Sequence, residues 1–92
     1  MLRAKLKLTR EDGLHARPAA LLVSLVMKYP RLEVILEKDG KQARGNSLTA
    51  ILTLQGEKGD VIEFRISGDD EERFWEELLQ TIEGEVIQFE KT

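Results

Sequence analysis

Apolar residues Leu2, Ala4, Leu6 and Leu8 alternate strictly with Arg3, Lys5 and Lys7, a period of two that predicts a half-buried strand. Leu32, Val34 and Leu36 repeat the pattern, and so do Ile62, Phe64 and Ile66, with Glu63 and Arg65 on the other face. Asp39-Gly40, flanked by lysines, marks a tight hairpin, so Lys41 to Arg44 is predicted to fold back as a strand. Between strands the period changes. Helical spacing after Ala16 puts Ala19, Leu22, Val26 and Tyr29 on a core side and Arg17, Ala20, Leu21, Ser24 and Lys28 on the opposite side. That helix is predicted to end near Tyr29, because Pro30 pushes the residue before it out of the helical region. Asn46-Ser47 is a capping pair for a short helix carrying Leu48, Ile51 and Leu52 on one side. Gly68-Asp69-Asp70-Glu71 opens a last helix with carboxylates in its first turn, as the dipole prefers. Phe74, Leu78 and Ile82, joined by Trp75 or Leu79, form its buried stripe, and Gly84 ends it.

The predicted order is strand, helix, strand, strand, helix, strand, helix. With one hairpin and one apolar face per element, the economical packing is an α+β fold (βαββαβα), a four-stranded, mostly antiparallel sheet with three helices on one face. A length of 92 residues suits a single domain, 1–92. Glu85 to Thr92 contains Val86, Ile87 and Phe89, too apolar for a loose tail and able to add a short edge strand.

Composition narrows the function. The net charge of −3 and the lack of a basic stripe argue against nucleic acid. The absence of cysteine excludes disulfides, thiolate zinc sites and a cysteine nucleophile, and a single histidine argues against a dedicated metal site. The longest apolar stretch, Ala19 to Met27, falls short of the roughly 20 residues a membrane span needs, and the amino terminus has no signal-peptide core. A cytoplasmic protein without membrane insertion is therefore expected. Gly56-Glu57-Lys58-Gly59 lacks the spacing and hydroxyl residue of a nucleotide-phosphate loop and reads as a turn.

The candidate chemistry lies in Gly13-Leu14-His15-Ala16-Arg17-Pro18-Ala19. Pro18 suits a first helical turn, which does not use its missing amide hydrogen. The free amides and positive dipole end of a helix start attract an anion, phosphate above all. They also disfavour an imidazolium, so His15 is expected to be neutral and nucleophilic near neutral pH. Arg17 adds a permanent cation with a fork of donors suited to phosphoryl oxygens. A nucleophile, an anion nest and a cation in one segment suggest a histidine that carries a phosphoryl group.

This motif resembles that of the HPr family, the histidine-containing phosphocarriers of the bacterial phosphoenolpyruvate-dependent sugar phosphotransferase system. The likeness extends to a serine opening a short helix (Ser47 to Leu54) and to Lys58-Gly59 before a strand. The resemblance implies an open-faced β-sandwich whose His15 takes phosphate on Nδ1 from Enzyme I. His15 would pass it to the A domains of sugar-specific Enzymes II, with Arg17 assisting. It implies no cofactor. Ser47 matches the serine that a dedicated kinase modifies in many Gram-positive bacteria, where the modified protein joins a transcriptional regulator. Thr49 and Ala50 stand where members usually have a large apolar residue and a glycine. The stretch between the histidine and the serine is one residue longer than usual.

Two rival readings follow from the same residues. One is a regulatory paralogue whose phosphorylation at His15 or Ser47 controls a transcription factor or kinase. The other is a small hydrolase using Ser47 and His15, for which the sequence offers no oxyanion site. Apart from modification, Ser47 has a purely structural role as a cap. Ala20 and Leu21 are expected to be exposed apolar residues beside the phosphoryl site. With Ala16, Ser24 and Leu48 they make a candidate docking face for partners.

Overall fold

A computed structural model of the chain describes residues 1–8, 16–81 and 86–91, with side chains at 1–8 and 18–81. The alternating amino terminus forms β1 (Leu2–Leu8). Its four apolar residues are buried and its intervening cations exposed. β2 (Glu33–Lys38) and β3 (Lys41–Arg44) form the predicted hairpin. At its tip Asp39 and Gly40 both have positive φ, 51° and 82°, which matches the right-handed twist of the flanking strands. β4 (Val61–Ser67) lies between β1 and β2 and pairs antiparallel with both. Ile62, Phe64 and Ile66 are buried on the same face as Leu2, Ala4 and Leu6.

A fifth strand, β5 (Val86–Lys91), pairs antiparallel with the free edge of β1 and brings the order to β3-β2-β4-β1-β5. The apolar tail thus adds an edge strand beyond the four-stranded sheet, with a register shift between Lys7 and Leu8.

Three helices cover the apolar face. They are α1 (Ala16–Met27), α2 (Leu48–Thr53) and α3 (Glu71–Thr81), and α1 packs against the other two. α1 ends two residues before the expected limit. The amides of Lys28 and Tyr29 reach back only three residues, to Leu25 and Val26, each at 3.0 Å. This tightening is common where a helix terminates before a proline.

Phe74, Trp75 and Leu78 of α3 are buried, each contributing roughly 1.5–3 kcal/mol of apolar transfer. Trp75 packs edge-on against Phe64 of β4, with ring centroids 5.7 Å apart. Ile82 and Gly84, the predicted last contact and stop of this helix, lie outside the described residues.

Candidate functional site

α1 opens at Ala16, the residue that follows His15 in the chain. Pro18 is its third residue and is buried. The missing amide hydrogen of Pro18 falls among the first four that find no partner within a helix, so proline is tolerated there. The first turn of α1 contains no acidic side chain, whereas α3 begins with Glu71 and Glu72. Those carboxylates offset the dipole of α3. The start of α1 has no such compensation from its own helix and carries Arg17 in the same turn. A helix start of this composition favours an external anion. His15 and the side chains of Ala16 and Arg17 lie outside the described residues.

One turn further on, Ala20 and Ser24 are exposed, as helical spacing predicts. Leu21 departs from the expectation of full exposure. It is half-buried and packs against the core, because α1 touches both α2 and α3 and so buries a wider stripe. Leu25, left off both predicted faces, is buried for the same reason.

Ser47 is the cap of α2. Its backbone is extended (φ −120°, ψ 106°), and its Oγ accepts the amide hydrogen of Ala50 at 3.2 Å. Its carbonyl accepts from Ile51 at 3.1 Å, and its own amide donates to Arg44 at 3.1 Å. The side chain is half-buried.

The apolar residues of α2 divide differently from the single side expected. Ile51 is buried, while Leu48 and Leu52 are 39% and 37% exposed. Positions four apart share a helix face, so Leu52 stays with Leu48 as expected, and it is Ile51 that turns to the core. The docking candidates on α1 and Leu48 therefore sit on two helices in contact, with Leu52 as an additional apolar residue.

The remaining motifs resolve as structure. Gly56 to Gly59 lies in a turn closed by the Asp60 amide donating to the Glu57 carbonyl at 2.9 Å. Asp70 offers its carbonyl to Phe74 at the start of α3. Among the described residues no three potential metal ligands cluster, and no helix is long and apolar enough to cross a membrane.

Residues 2–84 match the PTS-HPr family, described as the PTS HPr component phosphorylation site. The chain is 33% identical to the HPr-like protein Crh of Bacillus subtilis over 86 residues, 94% of this chain and 100% of that protein. It is 32% identical to the phosphocarrier protein HPr of Xylella fastidiosa over 84 residues, 91% of this chain and 93% of that one. Its fold matches that of HPr-C-His from Thermoanaerobacter tengcongensis with a TM-score of 0.82 and 34% identity, covering 92% of this chain and 94% of the other. An antiparallel sheet with helices on one face and an anion-favouring helix start is here the architecture of a phosphocarrier. The chain belongs to the HPr family of the phosphotransferase system. β5 lies beyond the residues that the family match covers.

Proposed function

We propose that this chain, acting as one HPr-like domain in the cytoplasm, relays phosphoryl groups from Enzyme I to the A domains of sugar-specific Enzymes II. In the loading step Nδ1 of neutral His15 attacks the phosphorus of a phosphohistidine on Enzyme I. One nitrogen–phosphorus bond forms as the other breaks, and the donor imidazole leaves. The amides that begin α1 and the guanidinium of Arg17 balance the charge on the phosphoryl oxygens. Discharge to an Enzyme II runs the same exchange in the forward direction, so the phosphoryl group must be held only moderately. The chain is consumed and regenerated as a stoichiometric carrier, with no turnover of its own. Ala16, Ala20, Leu21, Ser24 and Leu48 form the docking face for both partners.

The observation that carries this reading is the opening of α1 one residue after His15, without a carboxylate of its own, in a chain of the HPr family. Incubation with Enzyme I and labelled phosphoenolpyruvate tests it. The label is expected to be acid-labile, alkali-stable and absent from His15→Ala. Label that survives this substitution overturns the assignment.

The similarity to Crh over its full length supports a second reading, a regulatory branch. Ser47 would be modified by a serine kinase and the product read by a transcriptional regulator. A phosphate on Ser47 would sit at the start of α2, where its charge is tolerated. Growth of a deletion strain on several sugars separates the two. Impaired uptake supports the relay, and unchanged uptake with altered gene expression supports regulation.

A further inference from the structure

Lys38 is the last residue of β2, beside an exposed hairpin tip, yet its side chain is only 16% exposed. Its ammonium group has three hydrogens and meets three oxygens: the carbonyls of Leu54 at 3.1 Å and Gln55 at 2.9 Å, and Asp60 Oδ2 at 3.2 Å. The contacts meet two needs, those of the end of α2 and of Asp60. The last carbonyls of a helix have no partner within it, and α2 has no basic residue in its own last turn. Lys38 supplies that charge from another element, where the helix dipole favours a cation.

Asp60 closes the following turn by accepting the Glu57 amide hydrogen at 2.8 Å. That amide, and then the Lys38 ammonium, hold its carboxyl below the usual range against a partial desolvation. The Asp60 carbonyl accepts from the amide of Leu8 at 2.9 Å, and the Leu8 carbonyl accepts from Gly59 at 2.7 Å. Leu8 is the end of β1, from which the chain runs on to His15. One ammonium therefore ties the end of the helix that bears Leu48 and Leu52 to the turn that anchors the root of the His15 segment.

We infer that Lys38 and Asp60 are positioning residues for phosphoryl transfer, setting the docking helix α2 in register with the root of the His15 segment. The inference rests on the relay reading above. A partner must engage the docking face and reach His15 at once, so slack between the two weakens productive docking. Lysine suits the role because its three donors converge on three separate oxygens, while the planar fork of arginine favours a single carboxylate.

The test uses Enzyme I and phosphoenolpyruvate with the full chain and its Lys38→Met, Lys38→Arg and Asp60→Asn variants, below their melting midpoints. Lys38→Met is expected to raise the KM of Enzyme I for the carrier on the order of tenfold with kcat within about twofold. Lys38→Arg restores part of the loss. Asp60→Asn shifts KM in the same direction, and the double variant shows less than the sum of the two effects. If Lys38→Met does not fold, Asp60→Asn carries the test, since it keeps the shape and one accepting oxygen while removing the charge. A lowered melting temperature with KM unchanged overturns the inference and leaves the pair a purely structural clamp. A parent chain that takes no label at His15 instead overturns the relay reading, so the two failures are told apart.

Discussion

Tyr29 donates its phenolic hydrogen to Glu77 Oε1 at 2.6 Å, and Lys28 holds the other oxygen of the same carboxylate at 2.9 Å. These contacts join the residues just past α1 to the outer face of α3. Below them the Tyr29 ring meets Phe74 edge-on, with centroids 5.6 Å apart. The two helices are thereby linked through a polar pair at the rim and an aromatic pair beneath it.

The bond to Glu77, with partial burial behind it, raises the Tyr29 phenol above its ordinary value of 10.0. As the chain has one tyrosine, its ionisation can be followed by absorbance without ambiguity. The titration midpoint is expected above the ordinary phenol value, and Glu77→Gln is expected to bring it down. An unmoved midpoint in that variant would show that the carboxylate does not control the phenol in solution.

The same pair sets a pH window. The Tyr29 hydroxyl, followed by the Lys28 ammonium, holds the Glu77 carboxyl below its usual range. A depressed carboxyl contributes stability above the ordinary carboxylate range and loses it as pH falls through the folded-state value. A raised phenol contributes below its ordinary value and loses it as pH rises through the folded-state value. Melting temperatures across a pH series should fall less steeply on the acid side for Tyr29→Phe than for the parent chain. Parallel acid limbs would show that the Tyr29 bond does not control the titration of Glu77.

Gly68 joins β4 to α3 with φ at +145°. A methyl group there would collide with Leu32 Cδ2 and crowd the Arg31 carbonyl at 3.4 Å. Gly68→Ala is therefore expected to destabilise by about 1–3 kcal/mol, from strain and overpacking together. Gly40→Ala provides the control, since that position also has positive φ but open space around it. Denaturant unfolding should rank Gly68→Ala clearly below Gly40→Ala. Equal losses would mean that backbone strain alone matters.

The strands, the hairpin and the three helices were legible because each is written in local periodicity. The alternation in β1 and β4 and the Asp39-Gly40 turn leave few options for their pairing. What was not legible depends on contacts between elements. Leu21 and Leu25 are more buried than a single helical stripe allows, because α1 packs against both α2 and α3. Val86 to Lys91 could be read as an edge strand, but nothing in those residues chooses the edge of β1 over that of β3. The role of Lys38 follows from the hairpin reaching the end of α2, a meeting that no local pattern encodes. For the site, the sequence located the helix start after His15 and the cap at Ser47. It put Leu48, Ile51 and Leu52 on one side, and so missed that Ile51 is buried while Leu48 and Leu52 share an exposed face.

Ser47 offers a separation of structure from charge. Its Oγ satisfies the Ala50 amide at 3.2 Å, and alanine would leave that donor without its side-chain acceptor. Ser47→Ala is expected to cost about 1 kcal/mol. Aspartate caps as well as serine does, and its charge is favourable at a helix start. Ser47→Asp should therefore melt close to the parent chain while carrying a negative charge beside Leu48. Circular dichroism together with the fluorescence of buried Trp75, the single tryptophan, would follow both variants. If Ser47→Asp melts as low as Ser47→Ala, the cap does not accept a carboxylate in this backbone. If it melts with the parent, any change in its binding to partners reports the charge at position 47 and not a loosened α2.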